Sequence, residues 1–382
     1  MIGDRALLAL LGASLLTGPI CGAGCDGGRI ALGGAPLLDG SIPPGVDGGG
    51  PGPGGAADAS VPRVAPPVIL TDATRAAGLP AASTMCLVFS DLDGDHRPDL
   101  LLAGVDANGR FGGALDLWKN RGDGTFARSS IPLPIFTASS CRAVDWSGDG
   151  KVDLVVAGGT ARDRRVALLR GDGGGAFTNV TRSAFSEDLS QPGVVNAGPL
   201  GVFDADGDGR PDVLLGNFVW PDPGLSKGCV GPCSWSAHDF TCHFDDPMPV
   251  RQEPQLYRNV AGQRFERLPA PGLRAEESSV FGFLDWDADG FVDVFAANDF
   301  GENALYHNEH GAGLRDLLPA WRDNPYNHGM GVAFADFDRD QRWDFYVADL
   351  GPDRLYFGLA DGSAENRAEA LGIEAITRRH SG

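Results

Sequence analysis

The chain has 382 residues, 42% of them hydrophobic and 8% aromatic, enough for one large domain or two smaller ones. A formal net charge of −20 argues against nucleic acid and anionic membrane surfaces, which would repel it, and favours calcium or a basic partner. The 56 Gly and 27 Pro argue against a helical fold.

Residues 1–25, MIGDRALLALLGASLLTGPICGAGC, carry one arginine, an apolar run from Ala6 to Leu16, and then small residues ending in cysteine. That is the layout of an export signal. The short apolar core followed by cysteine resembles a bacterial lipoprotein signal, with Cys21 or Cys25 as the lipidated residue; an ordinary cleaved secretion signal is the alternative. No other apolar run is long enough to cross a bilayer. Residues 26–67 are dominated by Gly, Pro, Ala and Asp, cannot bury enough apolar surface to order themselves, and are expected to form a flexible tether. The chain is thus expected to be exported, as an envelope lipoprotein or a secreted protein, with membrane contact only through that anchor.

The folded part, residues 68–376, is built on a repeat. DLDGDHRPDLLLAG (Asp91 to Gly104) recurs as DWSGDGKVDLVVAG (from Asp145), DADGDGRPDVLLGN (from Asp204), DWDADGFVDVFAAN (from Asp285) and DFDRDQRWDFYVAD (from Asp336). The first aspartates are 54, 59, 81 and 51 residues apart, a unit of about fifty residues with one long insertion, 217–254, in the third. Each copy continues into a hairpin pattern: LWKNRGDGTF, LLRGDGGGAF, LYRNVAGQRF, LYHNEHGAGL and LYFGLADGSA. The unit is therefore four short strands, one before the aspartate loop, one after it and two around the Gly-rich turn, which is a propeller blade by count and length. The strands after the loops are continuous apolar runs, so both their faces are expected to be covered, as blade stacking would do. The expected fold is an all-β propeller of five four-stranded blades, or of six or seven if further blades have degenerated.

Numbering each loop from its first aspartate, acidic side chains fall at positions 1, 3, 5 and 9: Asp91, Asp93, Asp95 and Asp99; Asp145, Asp149 and Asp153, with Ser147 at position 3; Asp204, Asp206, Asp208 and Asp212; Asp285, Asp287, Asp289 and Asp293; Asp336, Asp338, Asp340 and Asp344. Position 7 contributes a backbone carbonyl, from Arg97, Lys151, Arg210, Phe291 and Arg342. Oxygens at this spacing in a tight turn suit calcium, which takes six to eight of them, and disfavour magnesium. A helix-flanked loop would close with Glu at position 12, where this chain has Leu102, Val156, Leu215, Ala296 and Val347, so the closing ligand is expected to be position 9 and the chain to leave as a strand. Gly at position 6 is present as Gly150, Gly209 and Gly290 but replaced by His96 and Gln341. The second loop, one carboxylate short, is expected to be the weakest of up to five Ca2+ sites. Nineteen of the 51 acidic residues lie in these loops, and five dications would halve the formal charge.

These loops, with GVAFADFDRDQRWDFYVADLGPDRLYFG (Gly331 to Gly358) and LTDATRAAGL (Leu70 to Leu79), resemble FG-GAP/VCBS repeat proteins, whose blades build the integrin α-subunit propeller, and bacterial relatives of the cartilage acidic protein family. The likeness covers roughly Val68 to Ile373. It implies an extracytoplasmic calcium-binding propeller, often of seven blades, concerned with adhesion or partner binding. Leu70 to Leu79 resembles the last strand of a blade, and Asn366 to Ile373 is expected to supply the fifth blade's own last strand, so the two compete for one edge.

In the insertion, Trp220, Trp235 and Phe240 could form a contact patch, or pack under their own loop. Cys229, Cys233 and Cys242 with His238 and His243 match no strong zinc signature, and disulfides are the better default in an exported chain. Cys86 and Cys141 precede the first two loops at nearly equivalent places, so neighbouring inner strands could bring them together, although a one-residue offset in register counts against a bond. His307, His310 and His328 could serve metal binding or catalysis, although a turn setting favours solvated surface groups. No nucleophilic triad or phosphate loop is recognisable. The expected function is non-catalytic, calcium-dependent binding of an extracellular protein or glycan by a monomer. A carbohydrate-active lyase or hydrolase on the same scaffold is the alternative.

Overall fold

The computed structural model describes residues 71–80, 84, 86–103, 115–130, 138–160, 163–189, 197–217, 235–236, 239–240, 253–268, 273–274, 276–317, 327–349 and 352–373. The expected export signal, the tether, and Cys229, Cys233, Cys242, His238, His243 and Trp220 lie outside them, as do the side chains of Trp235, Phe240 and His328.

The fold is all-β, with five four-stranded antiparallel blades in chain order, the fourth and fifth joined into one eight-stranded sheet by backbone pairing of Asp299 with His328 and of Gly301 with Asn327. The first blade is β1 (Cys86–Ser90), β2 (Asp99–Ala103), β3 (Leu115–Asn120) and β4 (Phe126–Ser130). The second is β5 (Ala138–Val144), β6 (Asp153–Thr160), β7 (Asp163–Gly171) and β8 (Phe177–Asn179), followed by the single helical turn α1 (Thr181–Ala184). The third blade contains β9 (Ala197–Phe203) and β10 (Asp212–Asn217). After a small hairpin, β11 (Trp235–Ser236) and β12 (Asp239–Phe240), it resumes with β13 (Gln255–Val260) and β14 (Arg264–Arg267). The fourth is β15 (Glu277–Leu284), β16 (Asp293–Gly301), β17 (Ala304–Asn308) and β18 (Leu314–Asp316), and the fifth β19 (Asn327–Ala335), β20 (Asp344–Asp349), β21 (Arg354–Gly358) and β22 (Ala364–Asn366).

The blades stack in chain order. First strands of neighbours lie together as β1/β5, β5/β9, β9/β15 and β15/β19, with no comparable contact between β19 and β1. This explains the apolar runs. In β6, Leu154 and Val156 pack toward the first blade while Val155 and Ala157 pack toward the third. Val213 and Leu215 of β10 face the second blade, and Leu214 the fourth. Each such fully buried Leu or Val side chain stabilises by about 1.5–3 kcal/mol. The expectation of two covered faces fails at the ends of the stack: β2 alternates between buried and half-buried residues, and half of β20 is only partly buried. Among the described residues no blade covers these outer sheet faces, and Phe337 is 49% exposed where its equivalents Leu92 and Trp146 are 2% and 3% exposed.

The contest for the last edge has a plain outcome. The fifth blade completes itself, but with β22 paired to β21, and not with Asn366 to Ile373. Asn366 ends the strand because its Oδ1 accepts the Ala368 N–H (3.1 Å), and the residues beyond form turns over Leu355 and Phe357. Residues 71–80 are a turn and not a strand, and they sit on the first blade, where Phe126 N–H donates to Ala77 O (2.9 Å). Phe185 and Ser186 sit on Phe265 of the third blade in the same manner, with Ser186 N–H donating to Phe265 O (3.1 Å).

Cys86 and Cys141 form a disulfide, with Cα atoms 5.5 Å apart. The one-residue offset that counts against pairing is what the stack requires. Blades stack front to back, so a bridge joins one face of β1 to the opposite face of β5, and side chains on opposite faces differ by an odd number of residues. Cys86→Ser is expected to cost about 2–4 kcal/mol in denaturant unfolding, an effect reproduced in the unmodified chain by reduction; equal stability with and without reductant would refute a structural role.

Candidate metal centres in five aspartate loops

In every blade the residue before position 1 pairs with position 9: Ser90 with Asp99, Val144 with Asp153, Phe203 with Asp212, Leu284 with Asp293 and Ala335 with Asp344. Antiparallel pairing thus pinches positions 1–8 into a closed loop. Its shape comes from left-handed backbone at positions 4 and 6. Position 4 is Gly94, Gly148, Gly207, Ala288 and Arg339, all with φ between 60° and 77°. At position 6, His96 and Gln341 hold φ of 64° and 68° without glycine. The missing Gly therefore leaves the turn intact and adds strain there.

The first aspartate is the hub. Asp91 accepts N–H bonds from Gly94 (2.8 Å), Asp95 (3.1 Å) and His96 (2.8 Å), and Asp145 and Asp204 repeat the pattern. Burial raises the Asp91 carboxyl, but these N–H groups outweigh it and hold it below the usual range. Position 5 accepts the N–H of position 7 in all five loops, at 2.8 to 3.1 Å. The position 7 side chains Arg97, Arg210 and Arg342 also pair with Asp95, Asp208 and Asp340, while Asp149 pairs with Arg170 (3.3 Å).

Position 9 is fully buried in all five loops. Asp212 accepts Asn259 N–H (2.7 Å) on one oxygen and Ala205 N–H (2.9 Å) on the other, joining the loop to the third strand. Asp99, Asp153, Asp293 and Asp344 do the same. Burial raises the carboxyls of Asp99, Asp153 and Asp293, and pushes Asp212 up to about 6, with the charges of Asp206 and Asp208 adding to the shift.

Three carboxylates converge, with ligand atoms within 4.8 Å of one another, at Asp91, Asp93 and Asp99; at Asp204, Asp206 and Asp212; and at Asp336, Asp338 and Asp344. In the fourth loop the groups are Asp285, Asp287 and Asp289, and Asp287, Asp293 and His307. The second loop forms no such group, as Ser147 in place of Asp leads one to expect. In the first, third and fifth loops the position 5 aspartates stand outside the three-carboxylate groups, drawn toward the neighbouring arginines. Asp93 Oδ1 is buried and accepts no hydrogen bond, although Lys119 Nζ lies 3.0 Å from Oδ2. Converging carboxylates with an orphaned buried oxygen fit a hard cation.

The third strands supply partners that sequence reasoning missed. Asn259 Nδ2 donates to Pro211 O (3.1 Å) in its own loop and to Trp146 O (2.8 Å) in the preceding blade's loop. Asn308 likewise reaches Val292 O (3.1 Å) and Ala205 O (2.8 Å). The signal available was the Asn of LYRN and LYHN. His307 is not the solvated turn residue its setting suggests: it lies on β17, 8% exposed, with Nδ1 3.2 Å from Asp293 Oδ1. His310 is in the turn, 3.3 Å from Asp289 Oδ2.

A family model described as FG-GAP-like repeat matches residues 91–156, 145–215 and 285–347. Cartilage acidic protein 1 of Mus musculus and of Homo sapiens is 40% identical over 70 residues, 18% of this chain. The match spans 11% of the length of those relatives. Among solved structures, an Agrocybe aegerita lectin that recognises non-reducing terminal N-acetylglucosamine aligns with TM-score 0.44 and 14% identity, covering 76% of this chain and 68% of that one. The Photorhabdus luminescens Tc holotoxin pore aligns with TM-score 0.32 and 14% identity, over 75% of this chain and 11% of that one.

Proposed function

We propose that this chain, which carries FG-GAP-like repeats, is an exported, calcium-clamped propeller that binds an extracellular protein or glycan without chemical turnover. One observation carries the calcium assignment: four loops gather three carboxylates each, with ligand atoms within 4.8 Å of one another, on a turn shaped by backbone N–H groups. Asp91, Asp93 and Asp99, with their counterparts in the third and fifth loops, would hold the ion, and the position 5 carboxylates and position 7 carbonyls would complete its oxygen shell. The ion is structural. It neutralises carboxylates that otherwise repel, and nothing in the binding reading routes a reaction through it.

The Cys86–Cys141 disulfide supports export, since such bonds persist in oxidising compartments. Residues 1–25 as signal and 26–67 as tether fit the same picture. The test counts ions first and partners second. Calorimetric titration of the full chain should show the three all-oxygen clusters filling tightly and the second loop weakly, with Ser147→Asp adding one tight site. A glycan and protein screen in calcium and in EGTA, with product analysis on every glycan that binds, tests the binding role. Cleaved product would move the assignment to a carbohydrate-active enzyme, and a Ser147→Asp chain with unchanged stoichiometry would refute the ligand positions.

A further inference from the structure

We propose that the fourth loop is a mixed nitrogen–oxygen site that takes a borderline transition dication, zinc being the best fit, through His307, Asp287 and Asp293. The argument compares one place across the blades. Where the third strand passes the loop, the first two blades put a cation against a carboxylate: Lys119 Nζ is 3.0 Å from Asp93, and an Arg170 nitrogen is 3.3 Å from Asp149. The fourth blade puts His307 there, with Nδ1 3.2 Å from Asp293 Oδ1 and 3.5 Å from Asp287 Oδ2.

The substitution is double. Position 7, an arginine paired with its own loop in the first, third and fifth blades, is Phe291, and Asp289 instead has His310 Nε2 at 3.3 Å. Among the described residues, imidazoles are thus the basic groups paired with the fourth loop's carboxylates. An ammonium or guanidinium can only neutralise a carboxylate, whereas a neutral imidazole has a lone pair and can share a metal with it. Calcium takes oxygen shells, while imidazole suits zinc and its neighbours.

The geometry agrees. Metal–ligand bonds of about 2.0–2.1 Å in a tetrahedron separate donors by about 3.3 Å, which the two His307 distances bracket. Asp293 is fixed by the N–H groups of Trp286 (2.8 Å) and Asn308 (2.7 Å), the outer support that orients a ligating carboxylate. Asp287 is exposed, so the cluster is reachable from solvent.

The inference shares the carboxylate convergence with the calcium assignment but differs in metal and in His307, so each can fail alone. The test is equilibrium dialysis of the full chain against Zn2+ in saturating Ca2+, with Co2+ as a spectroscopic substitute. One zinc should be retained per chain, and His307→Gln should weaken it by more than about 100-fold, beyond the loss typical of an outer-shell partner. His307→Arg, which restores the cation of the second blade, should abolish zinc retention and the cobalt spectrum while the other loops keep their calcium. Loss of zinc in saturating calcium, or zinc affinity unchanged by both substitutions, would overturn the assignment.

Discussion

Removing divalent ions from the full chain with EGTA is expected to lower its melting temperature by about 20 °C. An ion present at a hundred times its dissociation constant adds about 2.7 kcal/mol to the folded state, and four converging loops together add about 11 kcal/mol. For a domain of this size each kcal/mol moves Tm by about 2 °C. Scanning calorimetry with and without EGTA, paired with metal analysis, measures it. A shift of only a degree or two in protein freed of metal would mean that the acidic loops are held by their hydrogen bonds alone.

The second large effect separates the two jobs done by aspartates of one loop. Asp212→Ala should destabilise the chain in EGTA as well as in calcium, by about 2–6 kcal/mol, since it leaves the buried N–H groups of Ala205 and Asn259 without acceptors. Asp206→Ala should destabilise only in calcium; in EGTA it removes a like charge that pushes the Asp212 carboxyl up, and stability should hold or rise. The sign with pH is fixed as well. Because the Asp212 carboxyl is raised in the fold, its contribution is present at low pH and lost as pH rises through about 6, so in EGTA the unmodified chain should gain on Asp212→Ala as pH falls from about 7 to 5. Urea titrations of both variants in both conditions decide it, and indistinguishable curves for the two variants would defeat this division of labour.

Much of the fold was legible because the repeat writes it five times. The spacing of aspartates marks where one strand ends and the next begins, and unbroken apolar runs such as Leu154–Ala157 announce neighbours on both sides. What escaped depended on relations between blades, which a single repeat does not encode. The pairing of Cys86 with Cys141 needed the front-to-back sense of stacking. The half-covered faces of β2 and β20 followed from their places at the ends of the stack, since their sequences are as apolar as the rest. His307 looked like a turn residue because LYHN was aligned as a hairpin pattern and not against the lysine and arginine of LWKN and LLRG. Its meaning lies in that column.

The asparagine bonds from Asn259 to Trp146 O and from Asn308 to Ala205 O anchor the third strands of the third and fourth blades to the loop of the blade before. With the proposed ions in place, each of those loops would be held by both of the blades it touches. The coupling between those blades would then follow the dissolved cation level of the surroundings, with no change in the sheets themselves.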